Sequence, residues 1–264
     1  MWTYADGVAE RVEGAQVVGR VAAVLRVVAR APDGSTTSQV AVAAGLTRPT
    51  THRLLTSLLS EGCLDRDRET GRWYLGPEMY LMGIVAAQRY DVTAKARAIV
   101  ADLAEQTGES AFFSARRGNE TICLLRIDGS FPIRSFVLYE GARFPLGVAS
   151  AGLVILAHLP HTEAETYLRH VDLADRWGPQ YTAETLRERI ERTRQTGYAV
   201  NPGLVVEGSF GMGAAVMSAA GRPEWALSLT GVESRFPPQR QAELGQLLLK
   251  RAHTLTNVLS GRHP

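Results

Sequence analysis

Residues 36–76 limit what this chain can be more than any other stretch. They read T-T-S-Q-V-A-V-A-A-G-L-T-R-P-T-T-H-R-L-L-T-S-L-L-S-E-G-C-L-D-R-D-R-E-T-G-R-W-Y-L-G. Ser35, Thr36 and Thr37 offer N-cap oxygens to a short helix that carries Val40, Ala41 and Ala44 inward. Gly45 supplies a sharp turn. Thr47 then caps a second helix, with Pro49 in its first turn, where a missing N–H costs little. Leu54, Leu55, Leu58 and Leu59 form the apolar stripe of this helix, leaving Thr50, Arg53, Thr56 and Ser57 outward. Gly62 ends it. Leu64-Asp65-Arg66 and Arg72-Trp73-Tyr74-Leu75 alternate as strands around a turn at Glu69-Thr70-Gly71. Two helices across a tight turn followed by a charged hairpin predict a winged helix-turn-helix.

Such a module implies double-stranded DNA as partner, because a helix face of short hydroxyls and a guanidinium enters a major groove closely. Ser38, Arg48, Thr50, Thr51, His52 and Arg53 are the candidate DNA contacts, with Thr51 also readable as half-buried. Arg66, Arg68 and Arg72 on the hairpin are candidate phosphate contacts, which add affinity without sequence preference. The same three arginines also read as partners of Asp65, Asp67 and Glu69 on a solvated hairpin.

At 264 residues the chain is too long for this module alone and has room for one larger domain. A net charge of +2 does not announce nucleic acid. From Gly14 to Gly76, however, eight Arg stand against five Asp or Glu, a local charge of +3. Two cysteines, Cys63 and Cys123, make no disulfide framework. With no signal peptide and no apolar run long enough to span a bilayer, they point to the cytoplasm and to no membrane partner.

Residues 1–18 show no clean periodicity and read as a flexible arm, after which Val21, Val24, Leu25 and Val28 share a helical face. Beyond Pro77, a helix with Met79, Leu81, Met82, Ile84 and Val85 is apolar nearly all round and needs covering on more than one side. A second subunit is the preferred cover; burial within the same chain is the alternative. A helix over 92–107 follows. The remainder alternates: strands over 111–116, 121–127 and 133–139, helices over 149–158, 163–170 and 182–197, strands over 212–218 and 225–230, and a last helix over 239–259. Consecutive antiparallel strands with grouped helices predict an α+β fold with an antiparallel sheet.

A catalytic constellation is not visible. His158 and His161 have a suggestive spacing, but no acidic or thiol partner stands at a metal-ligand offset. Neither a nucleophile elbow nor a phosphate-binding loop occurs. Cys123 lies in Ile122-Cys123-Leu124-Leu125, which reads as buried strand. No metal and no cofactor are called for. An enzyme or a protein-interaction module fused to a winged helix stays open as the alternative function.

Four ordered stretches resemble the IclR family of bacterial transcriptional regulators. They are Thr50-Thr51-His52-Arg53-Leu54-Leu55 with Leu58 and Gly62; Gly71-Arg72-Trp73-Tyr74-Leu75-Gly76; Gly141-Ala142-Arg143-Phe144-Pro145-Leu146 running into Ala149-Ser150-Ala151-Gly152; and Gly197-Tyr198-Ala199-Val200 with Gly213-Ala214-Ala215-Val216 and Ala226-Leu227-Ser228-Leu229-Thr230-Gly231. The resemblance implies a winged helix-turn-helix over 19–76, a linker helix over 77–90, and a GAF-like effector domain over 91–264. It implies a repressor or activator that binds a palindromic operator as a dimer, often paired into tetramers, and answers to an organic acid or aromatic metabolite. Matching the family pocket gives Gly147, Val148, Asn201, Met212, Ser228 and Thr230 as effector-binding candidates, with Gly147 and Val148 as backbone donors. Phe112, Phe113 and Phe210 read as core. The chain departs from the pattern where Gly147 replaces His, Leu153 replaces Lys, Ala215 replaces Pro and Asn201-Pro202-Gly203-Leu204-Val205-Val206 replaces an acidic stretch, which implies a less polar pocket.

Overall fold

A computed structural model describes residues 16–89, 92–133 and 137–261. The chain divides into two compact units that meet in sequence at Asp91 and Val92.

In the first unit, α1 (Gln16–Ala29), α2 (Thr37–Ala44) and α3 (Arg48–Ser60) precede a hairpin of β1 (Leu64–Arg66) and β2 (Trp73–Leu75), and α4 (Pro77–Arg89) follows. Val24 and Val28 of α1 close on Val40, Leu55, Leu58, Leu64 and Trp73 to make the core. Residues 16–18, expected in a loose arm, form the first turn of α1; residues 1–15 lie outside the described residues. Gly76 lets the chain leave the hairpin, because a Cβ there would sit 2.2 Å from the Gly62 carbonyl oxygen. The first unit leaves apolar side chains of α4 exposed: Tyr80, Leu81, Met82, Ile84 and Val85.

The second unit is built on a six-stranded antiparallel sheet of order β5-β4-β3-β8-β7-β6. Its strands are β3 (Ser110–Arg117), β4 (Glu120–Ile127), β5 (Arg143–Pro145), β6 (Tyr198–Pro202), β7 (Ser209–Met217) and β8 (Pro223–Val232). Helices α5 (Val92–Thr107) and α10 (Pro238–Leu259) cover one face, packing on Phe113, Leu125, Met212, Leu227 and Leu229. Helices α6 (Ser150–His158), α7 (His161–His170) and α9 (Ala183–Thr196) build the core of the other face around Phe112, Cys123, Phe144 and Ala226. The period-two alternation of a strand sends Phe112 and Phe113 to opposite cores.

The strand expected over 133–139 does not form among the described residues. Ile133 is exposed and residues 137–139 are loop, while residues 134–136 lie outside the description. The outer edge of β4 is taken instead by 141–145. The Gly141 N–H donates to the Cys123 carbonyl at 2.8 Å, the Cys123 N–H donates to Ala142 at 2.9 Å, and Arg143 pairs with Glu120. Two elements absent from the sequence reading are a helical turn, α8 (Ala174–Trp177), and strand β6.

Candidate nucleic-acid interface and ligand cavity

Local chemistry fixes the direction in which α3 points. Thr36 and Gln39 form a reciprocal capping box at the start of α2. Gly45 then adopts φ 65°, and the Leu46 N–H donates to the Ala41 carbonyl at 2.9 Å. Thr47 caps α3 and donates its hydroxyl to Thr50 Oγ1 at 2.9 Å. Thr51, Leu55 and Leu58 share the buried face. Arg48, His52, Arg53, Thr56 and Ser57 face outward, Thr50 is half-buried, and Ser38 is exposed on α2. Arg48 and Arg53 make no hydrogen bond or ion pair with other described residues.

Thr51 cannot act as expected. It is fully buried and its hydroxyl donates to the Thr47 carbonyl at 3.0 Å, because position 51 lies one turn before Leu55 on the packed side. Arg72 is likewise committed. Its guanidinium donates to the Gly34 carbonyl at 2.8 Å and the Asp33 carbonyl at 3.4 Å, fastening the hairpin to the turn before α2. Arg66 leans over the Trp73 ring at 5.2 Å, and its Nε donates to the Gly71 carbonyl at 3.4 Å. Arg68 stands exposed at the hairpin tip. Asp67 Oδ1 accepts from the Thr70 N–H, the Thr70 hydroxyl and the Glu69 N–H, bonds that hold its pKa below the ordinary value.

The second unit holds a recess, partly open to solvent, between the sheet and the start of α6. Val137, Leu138, Phe144, Val205 and Phe210 give it a largely apolar wall. Ser114, Thr121, Ser150, Asn201, Ser228 and Thr230 supply its polar groups. Gly211 and Gly213 on β7 let α6 approach: a Cβ at Gly213 would come within 3.1 Å of the Ser150 backbone. Ser150, Ala151 and Gly152 occupy the first turn of α6, whose N–H groups have no acceptor inside the helix. The Ser228 and Thr230 hydroxyls, adjacent on one face of β8, are buried and have no hydrogen-bond partner among the described residues.

Three expected ligand residues fall elsewhere. Met212 is fully buried on the opposite face of the sheet, against α5 and α10, as alternation along β7 requires. Gly147 is buried, and a Cβ there would meet the Leu186 side chain at 3.1 Å; it does not line the cavity. Val148 spends its N–H on the Pro145 carbonyl at 3.2 Å. Its carbonyl is what matters, accepting Asn201 Nδ2 at 2.6 Å and the Tyr181 hydroxyl at 3.2 Å. Of the first-turn residues of α6, whose N–H groups are free of acceptors inside the helix, Ser150 and Ala151 line the cavity, whereas residues 147 and 148 do not. Sequence reasoning also passed over Ser114, Thr121 and Ser150, whose small hydroxyls carry no periodic signal.

The family model described as the IclR helix-turn-helix domain matches residues 17–68, and that described as bacterial transcriptional regulator IclR C-terminal matches residues 84–257. The chain belongs to the IclR family. Among relatives of this family, HTH-type transcriptional regulator KipR of Bacillus subtilis is 28% identical over 206 residues, covering 78% of this chain and 82% of KipR. HTH-type transcriptional repressor AllR of Escherichia coli is 26% identical over 263 residues, covering 98% of this chain and 96% of AllR. The fold matches the crystal structure of an IclR homologue from Microbacterium hydrocarbonoxydans complexed with 4-hydroxybenzoate, with a TM-score of 0.75, 21% identity, and coverage of 93% of this chain and all of that one. This IclR-family chain is thus a transcriptional regulator with an N-terminal helix-turn-helix and a C-terminal α+β domain. No helix among its described residues is long and apolar enough to cross a membrane.

Proposed function

We propose that this protein binds a palindromic operator as a dimer, with dimers pairing into tetramers, and that a small organic acid or aromatic metabolite in the cavity changes its operator affinity. The observation that carries the DNA reading is the outward face of α3, where Arg48, His52, Arg53, Thr56 and Ser57 stand exposed beside one another. Arg48 and Arg53 contact bases or phosphates in the major groove, Thr50 and Ser38 support them, and Arg66 and Arg68 meet phosphates. The uncovered apolar side chains of α4 support a homodimer, since a monomer rarely leaves such a face to water.

The ligand reading rests on the unsatisfied Ser228 and Thr230 hydroxyls beside the open first turn of α6. A helix N-terminus favours an anionic group, and buried hydroxyls without partners cost free energy until a ligand acceptor arrives. The apolar remainder of the wall suits an aromatic or aliphatic body. Ligand binding shifts operator affinity by its differential affinity for the two conformations. The partner being DNA, the protein works in the cytoplasm as a regulator and not as an enzyme. Footprinting on the DNA flanking its own gene tests the proposal: protection of two half-sites about one helical turn apart supports it, and no protection at low salt overturns it.

A further inference from the structure

Arg189 of α9 inverts the usual habit of its residue type. Arginines generally bury the stem and leave the head in water. Here the residue as a whole is only half-buried, yet both Nη atoms are sealed from solvent and meet no hydrogen-bond acceptor among the described residues. No carboxylate among the described residues pairs with it. Its guanidinium carbon lies 5.4 Å from the centre of the Tyr181 ring. Burial pushes the Arg189 pKa down, with the Tyr181 hydroxyl opposing that effect. Tyr181 donates to the Val148 carbonyl, the same oxygen that takes Asn201 Nδ2, and Asn201 lines the cavity. Trp177, whose ring is 6.5 Å from that of Tyr181 and 5.6 Å from that of Phe144 in the cavity wall, also has a buried and unpartnered Nε1. A cation whose one described counterweight is the neutral Tyr181, together with a spare donor, thus stands one side chain behind the wall formed by Asn201 and Phe144.

We propose that Arg189 is a positioning residue that sets charge selectivity: it is a built-in counter-ion for an anionic ligand in the cavity, acting through Tyr181 and Asn201. Leaving a buried charge unpaired is strongly unfavourable, so the ligand-free protein carries a deficit that a carboxylate relieves and a neutral isostere does not. This inference rests on the cavity being the ligand site, and adds that the ligand is acidic and which side chain enforces it.

The test compares 4-hydroxybenzoate with 4-hydroxybenzamide by calorimetry on the full-length wild type, Arg189→Met and Arg189→Lys. The wild type binds the acid more tightly than the amide. In R189M that preference falls about tenfold or more, and R189K restores most of it. If R189M does not fold, R189K decides alone, and an acid preference lost in R189K overturns the proposal. An unchanged acid-to-amide ratio in R189M overturns it while leaving the cavity reading intact. If the wild type binds neither compound, both readings fail.

Discussion

Trp73 Nε1 donates to Thr37 Oγ1 at 3.0 Å, so a side-chain bond joins the hairpin to the first residue of α2. The indole is 1% exposed, and the Trp73 backbone exchanges two further bonds with Ser35. The hairpin therefore moves with α2 and α3 as one body. Trp73→Phe keeps the ring but removes the donor and leaves part of its volume empty. Expected is a loss of about 1–2 kcal/mol from the first unit, read as a lower midpoint in urea, with helical content retained. Thr37→Val, which loses the acceptor alone, should cost less. A W73F midpoint equal to that of the wild type contradicts this coupling.

A dimer held through α4 should respond to charge on its apolar face. Leu81 is 52% exposed and Val85 69% exposed, and they lie four residues apart on the same side. Leu81→Glu with Val85→Glu places two carboxylates where an apolar partner is expected. Light scattering should show the double variant at half the wild-type mass, or less, at micromolar concentration. An unaltered mass would place the subunit contact somewhere else.

The unsatisfied hydroxyls of β8 give a test with opposite signs in the two states. Ser228→Ala and Thr230→Val remove groups that pair with no described residue, so the melting temperature of the ligand-free protein should hold or rise slightly. An acidic ligand should then bind about five- to thirtyfold more weakly to each variant. Destabilisation of the ligand-free protein by more than about 1 kcal/mol would mean that these hydroxyls serve the sheet and not a ligand.

Glu163 at the start of α7 accepts from Arg116 at 2.7 Å and Arg222 at 2.8 Å, and these bonds hold its carboxyl below the ordinary value. A depressed folded-state pKa stabilises the fold above the unfolded value, and that contribution is lost as pH falls through the folded one. The Glu163 side chain is 35% exposed, so screening keeps the effect to roughly 0.5–1 kcal/mol. Glu163→Gln should be less stable than the wild type near pH 7, with the gap closing below about pH 4. Parallel pH–stability curves would remove Glu163 from the acid limb.

Helix periodicity made most of the first unit legible: the caps at Thr36 and Thr47, the turn at Gly45 and the leucine stripe of α3 all follow from residue type and spacing. Thr51 escaped because a threonine at the edge of the stripe satisfies its hydroxyl on the preceding turn and so buries at little cost. Arg72 escaped because its partners are backbone carbonyls distant in sequence, which no local pattern reveals. In the second unit, alternation identified Ser228 and Thr230 as sharing a face, and they do line the cavity. Met212 was misplaced although the same alternation, carried across from β8 to its partner on β7, puts it on the far side. Arg189 had no sequence signal at all. It sits in a helix whose charges otherwise face water, and only the packing of α9 against α6 and β6 turns its head inward.

The most direct measurement is a fluorescence-anisotropy titration of the operator with wild-type protein and Arg53→Ala at several salt concentrations. The exposed Arg53 should account for specific affinity, so the variant should bind at least about tenfold more weakly while its circular dichroism and subunit mass stay as in the wild type. Superimposable titrations at every salt concentration would contradict the assignment of α3 as the groove-reading helix.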